Sequence, residues 1–287
     1  MIDNFYQVAG HQFRLSFSEE TLEDCLGNYA PFRLPEDGDN ILFHLLVSDT
    51  LNEKQYEQIG KFDDDIASIR IFKSRDEDYR FRIGYLDSRE YCTMDTGEDF
   101  HHAEVELPAD LQYRFFCLNN CLMLLYAFAS AQHNTLLMHA SVIKNNGQGY
   151  LFLGKSGTGK STHSSLWLKH IEGSELLNDD NPVVRIVDGR AMVYGSPWSG
   201  KTPCYRSEGV PVKAIVKLRQ APENKILKLA ALKAYAAILP ACSNMSWENG
   251  IMDAIHTTVE KLVTAVNCLG LDCLPDQAAA MLCYENV

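Results

Sequence analysis

Several features that commonly announce a function are missing from this chain. Its nine cysteines include no C-x-x-C pair, so neither a zinc ribbon nor a thioredoxin-type redox centre has the ligand spacing it needs. An odd count scattered through apolar stretches reads as reduced, buried thiols in a reducing compartment. Cys117 and Cys121 share helical i, i+4 spacing, yet no second His or Cys pair is at hand to complete a metal site. Basic residues are scarce: 26 Lys and Arg against 38 Asp and Glu leave a formal net charge of −12. A nucleic-acid partner requires a dense Lys/Arg field, and none occurs. Acidic runs such as Asp63-Asp64-Asp65 read as solvated surface. The N-terminal Met1-Ile2-Asp3-Asn4 has neither the basic nor the apolar region of a signal peptide. The longest apolar run, Phe115 to Ala131, is interrupted by Asn119, Asn120 and Ser130 and is short for a membrane span. These absences predict a cytoplasmic protein with no nucleic-acid or membrane partner. Repeats and low-complexity tracts are also absent.

What is present begins as ordinary globular composition, with 46% hydrophobic and 22% charged residues over 287 positions. That is enough chain for one large domain or two smaller ones. Residues 1 to 107 look β-rich, with β-prone runs at Phe13 to Phe17, Ile41 to Val47, Ile66 to Phe72, Arg80 to Leu86 and Ala103 to Leu107. Turn-forming clusters such as Glu36-Asp37-Gly38-Asp39 separate them. No chemical constellation stands out there. Adjacent His101 and His102 would point to opposite faces of a strand. Leu111 to Gln132 then carries apolar residues at helical spacing without Gly or Pro, so a module boundary is expected near 107. The expected division is a β-rich module of unknown role, 1–107, and a second domain, 108–287.

The second half reads as mixed α/β with antiparallel elements. Leu136 to Lys144 and Gln148 to Leu153 flank Asn145-Asn146-Gly147, a hairpin signal. A second hairpin is expected from Val183 to Val187 and Ala191 to Tyr194 around Asp188-Gly189. Val212 to Leu218, Ile226 to Leu229 and Asn267 to Leu271 look like further strands. Ala230 to Leu239, Ser246 to Val266 and the segment opened by Pro275-Asp276 look helical.

Between the first hairpin and a predicted helix, Gly154-Lys155-Ser156-Gly157-Thr158-Gly159-Lys160-Ser161 completes a G-x-x-x-x-G-K-S phosphate-binding loop. Glycines let successive N–H groups turn inward around an anion, Lys160 reaches outer phosphates, and the Ser161 hydroxyl can ligate Mg²⁺. The apolar strand Tyr150 to Leu153 enters the loop and Thr162 to His170 can continue as a helix, whose N-terminus would face the phosphates. This predicts binding of a nucleoside triphosphate. Glu175 to Asp180 reads as a strand ending in carboxylates. One of Asp179 and Asp180 suffices for the metal, which frees the other for acid–base work; a plain turn at Asp179-Asp180-Asn181-Pro182 is the competing reading. His139, after the apolar run Thr135 to Met138, either faces the phosphates or is a core histidine. Ser196-Pro197-Trp198-Ser199-Gly200-Lys201, with Arg206 beyond it, could be a mobile loop that neutralises a transferring phosphoryl group, or an exposed loop with incidental basic residues.

Hairpin, loop and Asp-Asp strand in this order resemble the catalytic domain of bacterial HPr kinase/phosphorylase and, more distantly, phosphoenolpyruvate carboxykinase. His139-Ala140-Ser141-Val142 stands where the kinase family has a His-Gly segment. Gly154 to Thr162 matches the loop, Gly157-Thr158-Gly159-Lys160 reads like the carboxykinase version, and Leu177-Asn178-Asp179-Asp180 matches the Asp-Asp strand. The resemblance covers roughly residues 135 to 220. It implies an α/β (α+β) fold whose second domain is a carboxykinase-like P-loop domain with a mixed sheet. It further implies ATP or GTP with Mg²⁺, Asp179 assisting the metal, Asp180 as general base, and His139 as an auxiliary residue. Its relatives assemble as hexamers, which implies a homo-oligomer. The glycine-rich signature that follows the Asp-Asp region in HPr kinases is not found, so a diverged member is implied.

The expected activity is transfer of the γ-phosphoryl group to a Ser-type hydroxyl on a protein, peptide or small molecule. Ser156 to Lys160 would grip the nucleotide, Ser161 and Asp179 would hold Mg²⁺, and Lys201 would stabilise the transferring group. Two other readings stay open: a nucleotide-sensing binding protein without transfer, and simple NTP hydrolysis.

Overall fold

The structure, a computed structural model, describes every residue except Asp37, Asp39, Asp64, Asp65 and Lys201. It divides into two compact units, Met1–Ala129 and Ser130–Val287. The division follows Ala129, whereas the boundary expected near 107 precedes the long helix.

The first unit is built on strands β1 (Ile2–Val8), β2 (His11–Phe17), β3 (Arg33–Leu34), β4 (Ile41–Val47), β5 (Tyr56–Asp63), β6 (Ala67–Ser74), β7 (Tyr79–Tyr85), β8 (Tyr91–Thr96) and β9 (His102–Glu106). Among the described residues they form one mixed sheet in the order β3-β1-β2-β4-β9-β8-β7-β6-β5. The period-2 pattern is plain in β7, where Tyr79, Phe81 and Ile83 are buried and Arg80 and Arg82 alternate with them. The buried face is covered by helix α1 (Leu111–Ala131). Phe116 stacks on Tyr85 with centroids 3.9 Å apart, and Tyr126 meets Phe13 edge-on.

Helix α1 is 21 residues long. By length and composition it is apolar enough to cross a membrane, unlike the shorter run read from the sequence, and 61% of its most apolar window is buried within the structure. All nine cysteines are free, and Cys92 Sγ lies 3.6 Å from Cys121 Sγ under α1. His101 contacts the Leu42 carbonyl through Nδ1 at 2.7 Å, while the His102 ring meets His44 edge-on.

The second unit contains β10 (Thr135–Leu137), β11 (Ala140–Asn145), β12 (Gln148–Leu153), α2 (Lys160–His170), β13 (Glu175–Asp180), β14 (Val183–Val187), β15 (Arg190–Tyr194), β16 (Gly209–Gln220), β17 (Lys225–Lys228), α3 (Ala231–Ile238), α4 (Asn249–Ala265), β18 (Asn267–Cys273) and α5 (Gln277–Asn286). The architecture is mixed α/β, with a sheet in the order β10-β14-β15-β16-β12-β11-β13 and β18 beside β16. Two hairpins turn where the residue types favour it. Asn146 and Gly147 have φ of 49° and 70°, and Asp188 and Gly189 have 48° and 75°, the two positive values that a tight hairpin turn demands.

Strand β12 is antiparallel to β11 and parallel to β16, and β16 is parallel to β18. The core against this part of the sheet joins Phe152, Trp167, Val216, Leu218, Leu271 and Cys283. It therefore fastens α2 and α5 over β12, β16 and β18. Truncating a fully buried aromatic such as Trp167 to Ala costs about 3–5 kcal/mol, so this packing holds α2 on the sheet.

Candidate functional site

The loop Gly154–Gly159 runs from the end of β12 to the start of α2. Gly159 occupies the N-cap of α2 with φ 102° and has no side chain with which to cap the helix. Only glycine adopts that backbone without strain. The first-turn N–H groups of a helix have no partner within it, so this end presents donors and a positive dipole to the space above the loop. Gly154, Ser156, Gly157, Thr158 and Gly159 form the loop, and Thr162 lies in the first turn.

Register places the polar side chains. Ala140 pairs with Leu153 on one side and with Asp180 on the other. The start of β11 thus lies between the loop entry and the end of β13, and His139, one residue earlier, is set between Lys160 and Asp180. His139 Nε2 is 2.8 Å from Lys160 Nζ, and its Nδ1 is 3.0 Å from Asp180 Oδ1. Lys160 also donates to the Gly154 carbonyl at 3.0 Å. An ammonium can only donate, so Nε2 accepts and the ring proton is assigned to Nδ1, which donates to Asp180. Burial lowers the Lys160 pKa, and the nearby Asp180 and Asp179 charges oppose that fall. Ser161 Oγ donates to Asp179 Oδ1 at 3.0 Å. A hydroxyl and a carboxylate oxygen so close offer two ligands to a hard cation.

The end of β13 is clamped by the segment after β15. Ser196 Oγ accepts from Asn178 Nδ2 at 3.1 Å and from the Trp198 N–H at 3.2 Å, and donates to the Asn181 carbonyl at 2.6 Å. The Gly200 N–H donates to the Asp179 carbonyl at 2.6 Å, and Asp180 forms a bridge with Ser199. Asp180 itself has φ 138°, a strained backbone for a non-glycine that its surroundings must hold in place. Ser196 and Trp198 are buried, so the segment that the sequence left as a mobile or an exposed loop is anchored at these residues. A serine inside the sheet core supplies the hydrogen bonds that do it.

Of the residues singled out by sequence, Lys160, Ser161, His139, Asp179 and Asp180 come together. Lys201 lies outside the described residues. Arg206 does not join them: it pairs with Glu175 at 2.7 Å, at the opposite end of β13 and about 17 Å of strand from Asp180. Sequence reasoning missed Gln220, whose Nε2 donates to the Gly157 carbonyl at 3.1 Å, and placed Asn178, Ser196 and Gly200 in candidate segments without the contacts that they make. Each acts through a contact distant in sequence. His163 was passed over as well. Burial pushes its pKa down to about 4, and it accepts from Trp167 Nε1 at 3.1 Å.

Known proteins resemble this chain unevenly. No curated protein matches it. Among solved structures, the HPr(Ser) kinase/phosphatase from Coxiella burnetii matches with 12% identity over 52% of this chain and 91% of that chain, at a TM-score of 0.31. The family described as SynChlorMet cassette protein ScmC matches residues 103–268, a stretch holding the loop, His139 and both aspartates. That stretch is more than half of the 287 residues, and the chain belongs to the ScmC family.

Proposed function

We propose that the second unit is a kinase module that binds a nucleoside triphosphate with Mg²⁺ and transfers its terminal phosphoryl group to a hydroxyl-bearing acceptor. The observation that carries this reading is the convergence of two hydrogen-bonded groups at the N-terminus of α2. One is the chain Lys160–His139–Asp180 and the other is the pair Ser161–Asp179. The Gly154–Gly159 backbone and the first turn of α2 would cradle the phosphates. Lys160 would exchange its contact with His139 for a phosphate oxygen. Ser161 and Asp179 would hold Mg²⁺, which when bound neutralises charge on the outer phosphates. Asp180 would accept the acceptor's hydroxyl proton as that oxygen bonds to the γ-phosphorus and the nucleoside diphosphate departs.

What favours transfer over sensing is the second carboxylate. A sensor needs one group for the metal, whereas Asp180 is strained, clamped and oriented by His139 on one carboxylate oxygen and Asn181 on the other.

The test follows γ-labelled ATP with Mg²⁺ in extract of the source cells, comparing the full chain with Asp180→Asn and Lys160→Ala. Label reaching a protein, peptide or small molecule only with the unaltered chain is the expected result. Label staying on ATP would favour a nucleotide sensor, and label leaving only as free phosphate would favour a hydrolase.

A further inference from the structure

Strand order fixes which way a bound nucleotide must point, given the function proposed above. In the sheet, β13 and its aspartates lie two strands to one side of β12, beyond β11, while β16 and β18 lie on the other side. The phosphoryl end is committed to the β13 side by Lys160, Ser161, Asp179 and Asp180. The nucleoside end must therefore leave over the C-terminal ends of β16 and β18, which run parallel to β12. Ligands in such sheets collect at those strand ends.

β16 extends past the loop entry there. Lys217 pairs with Leu153, the last residue of β12, so β16 overshoots β12 by the three residues Leu218, Arg219 and Gln220. Gln220 Nε2 reaches back to the loop, donating to the carbonyls of Gly157 at 3.1 Å and Thr158 at 3.4 Å. The two loops beyond are tied to each other. The Ala221 N–H donates to the Cys273 carbonyl at 3.2 Å, the Leu274 N–H donates to Asn224 Oδ1 at 2.7 Å, and Asn224 Nδ2 donates to Asp276 Oδ1 at 3.0 Å. Asp276 also caps α5. Pro222, Leu274 and Pro275 are exposed on these loops and offer apolar surface to a flat ring.

We infer that Gln220 reads the base of the bound nucleotide and selects one with an exocyclic amine, adenine over guanine. Both of its loop partners are carbonyl oxygens, so the atom facing the loop must be the amide nitrogen. Oε1 then faces away from the loop as an acceptor. An acceptor there pairs with the adenine 6-amino group and opposes the 6-keto oxygen of guanine or hypoxanthine. Because Gln220 is exposed, the discrimination is that of one net hydrogen bond, about three- to tenfold.

The test measures binding of ATP, inosine triphosphate and tripolyphosphate to the full chain by titration calorimetry with Mg²⁺. Inosine triphosphate differs from ATP chiefly by a keto oxygen in place of the amine. The unaltered chain is expected to bind ATP about three- to tenfold more tightly than inosine triphosphate. Gln220→Ala should bring that ratio to about one. Gln220→Glu, which keeps an acceptor for the amine but loses the donor to the loop, should retain a preference for ATP. Equal binding of ATP and inosine triphosphate by the unaltered chain, or a ratio that survives Gln220→Ala, overturns the inference alone. If none of the three ligands binds, the proposed function falls and the base-reading role falls with it.

Discussion

His139 touches Asp180 through one ring nitrogen and Lys160 through the other, at 3.0 Å and 2.8 Å. A single imidazole therefore links the loop lysine to the carboxylate proposed as base. Replacing each member should separate their tasks. Lys160→Ala should abolish nucleotide binding. Asp180→Asn should leave binding within a few-fold but lower transfer by about two to four orders of magnitude. His139→Ala should lower kcat by about tenfold or more, with little change in nucleotide affinity. Binding titrations beside rate measurements check this, and loss of ATP binding in Asp180→Asn would contradict the assignment of Asp180.

Ser161 and Asp179 should share the metal. Asp179→Asn and Ser161→Ala are each expected to raise the Mg²⁺ concentration needed for half-maximal nucleotide binding by about tenfold or more. A Mg²⁺ titration at fixed ATP reads this directly. An unchanged midpoint in Asp179→Asn would remove the metal role from that residue.

Gly200 is required by closeness rather than by its dihedrals. A Cβ added there would stand 3.1 Å from both the Asp179 carbonyl and Asp180 Cβ. Gly200→Ala should therefore shift the clamp on β13, costing about 1–3 kcal/mol of stability and lowering transfer by moving Asp180. Thermal melts and kcat would both fall. A variant that melts and turns over like the unaltered chain would show that the clamp does not hold Asp180.

The buried His163 makes stability depend on pH. Its folded pKa of about 4 lies below the ordinary 6.5, so between those values the unfolded chain takes up a proton that the folded chain refuses. The stabilising contribution is complete above about 6.5 and is lost as pH falls toward 4, about 3 kcal/mol at the limit. His163→Gln cannot titrate, so denaturant melts at pH 7 and pH 4.5 should show a smaller loss in the variant. Identical losses in the two proteins would assign the effect to other groups.

What was legible in the chain itself was what its local chemistry dictates. Asn146-Gly147 and Asp188-Gly189 turn hairpins because these residues tolerate positive φ. The glycines of 154–159 make a loop that a helix follows, and the alternation of β7 marks a half-buried strand. The β1–β2 hairpin passed unnoticed because its turn is Ala9-Gly10, without the usual Asn or Asp. Strand β5 was missed because it lies at the sheet edge and buries little.

Only the tertiary structure decided which distant residues meet. His139 reaches Lys160 across 21 positions because β11 is inserted between β12 and β13. Ser196 grips Asn178, and Gln220 holds the tip of the loop across 63 positions, because strand order brings them there. Local rules act over a few residues, whereas strand order follows from burying many apolar side chains at once. A sequence therefore names the parts of a site more readily than the contacts that hold and aim them.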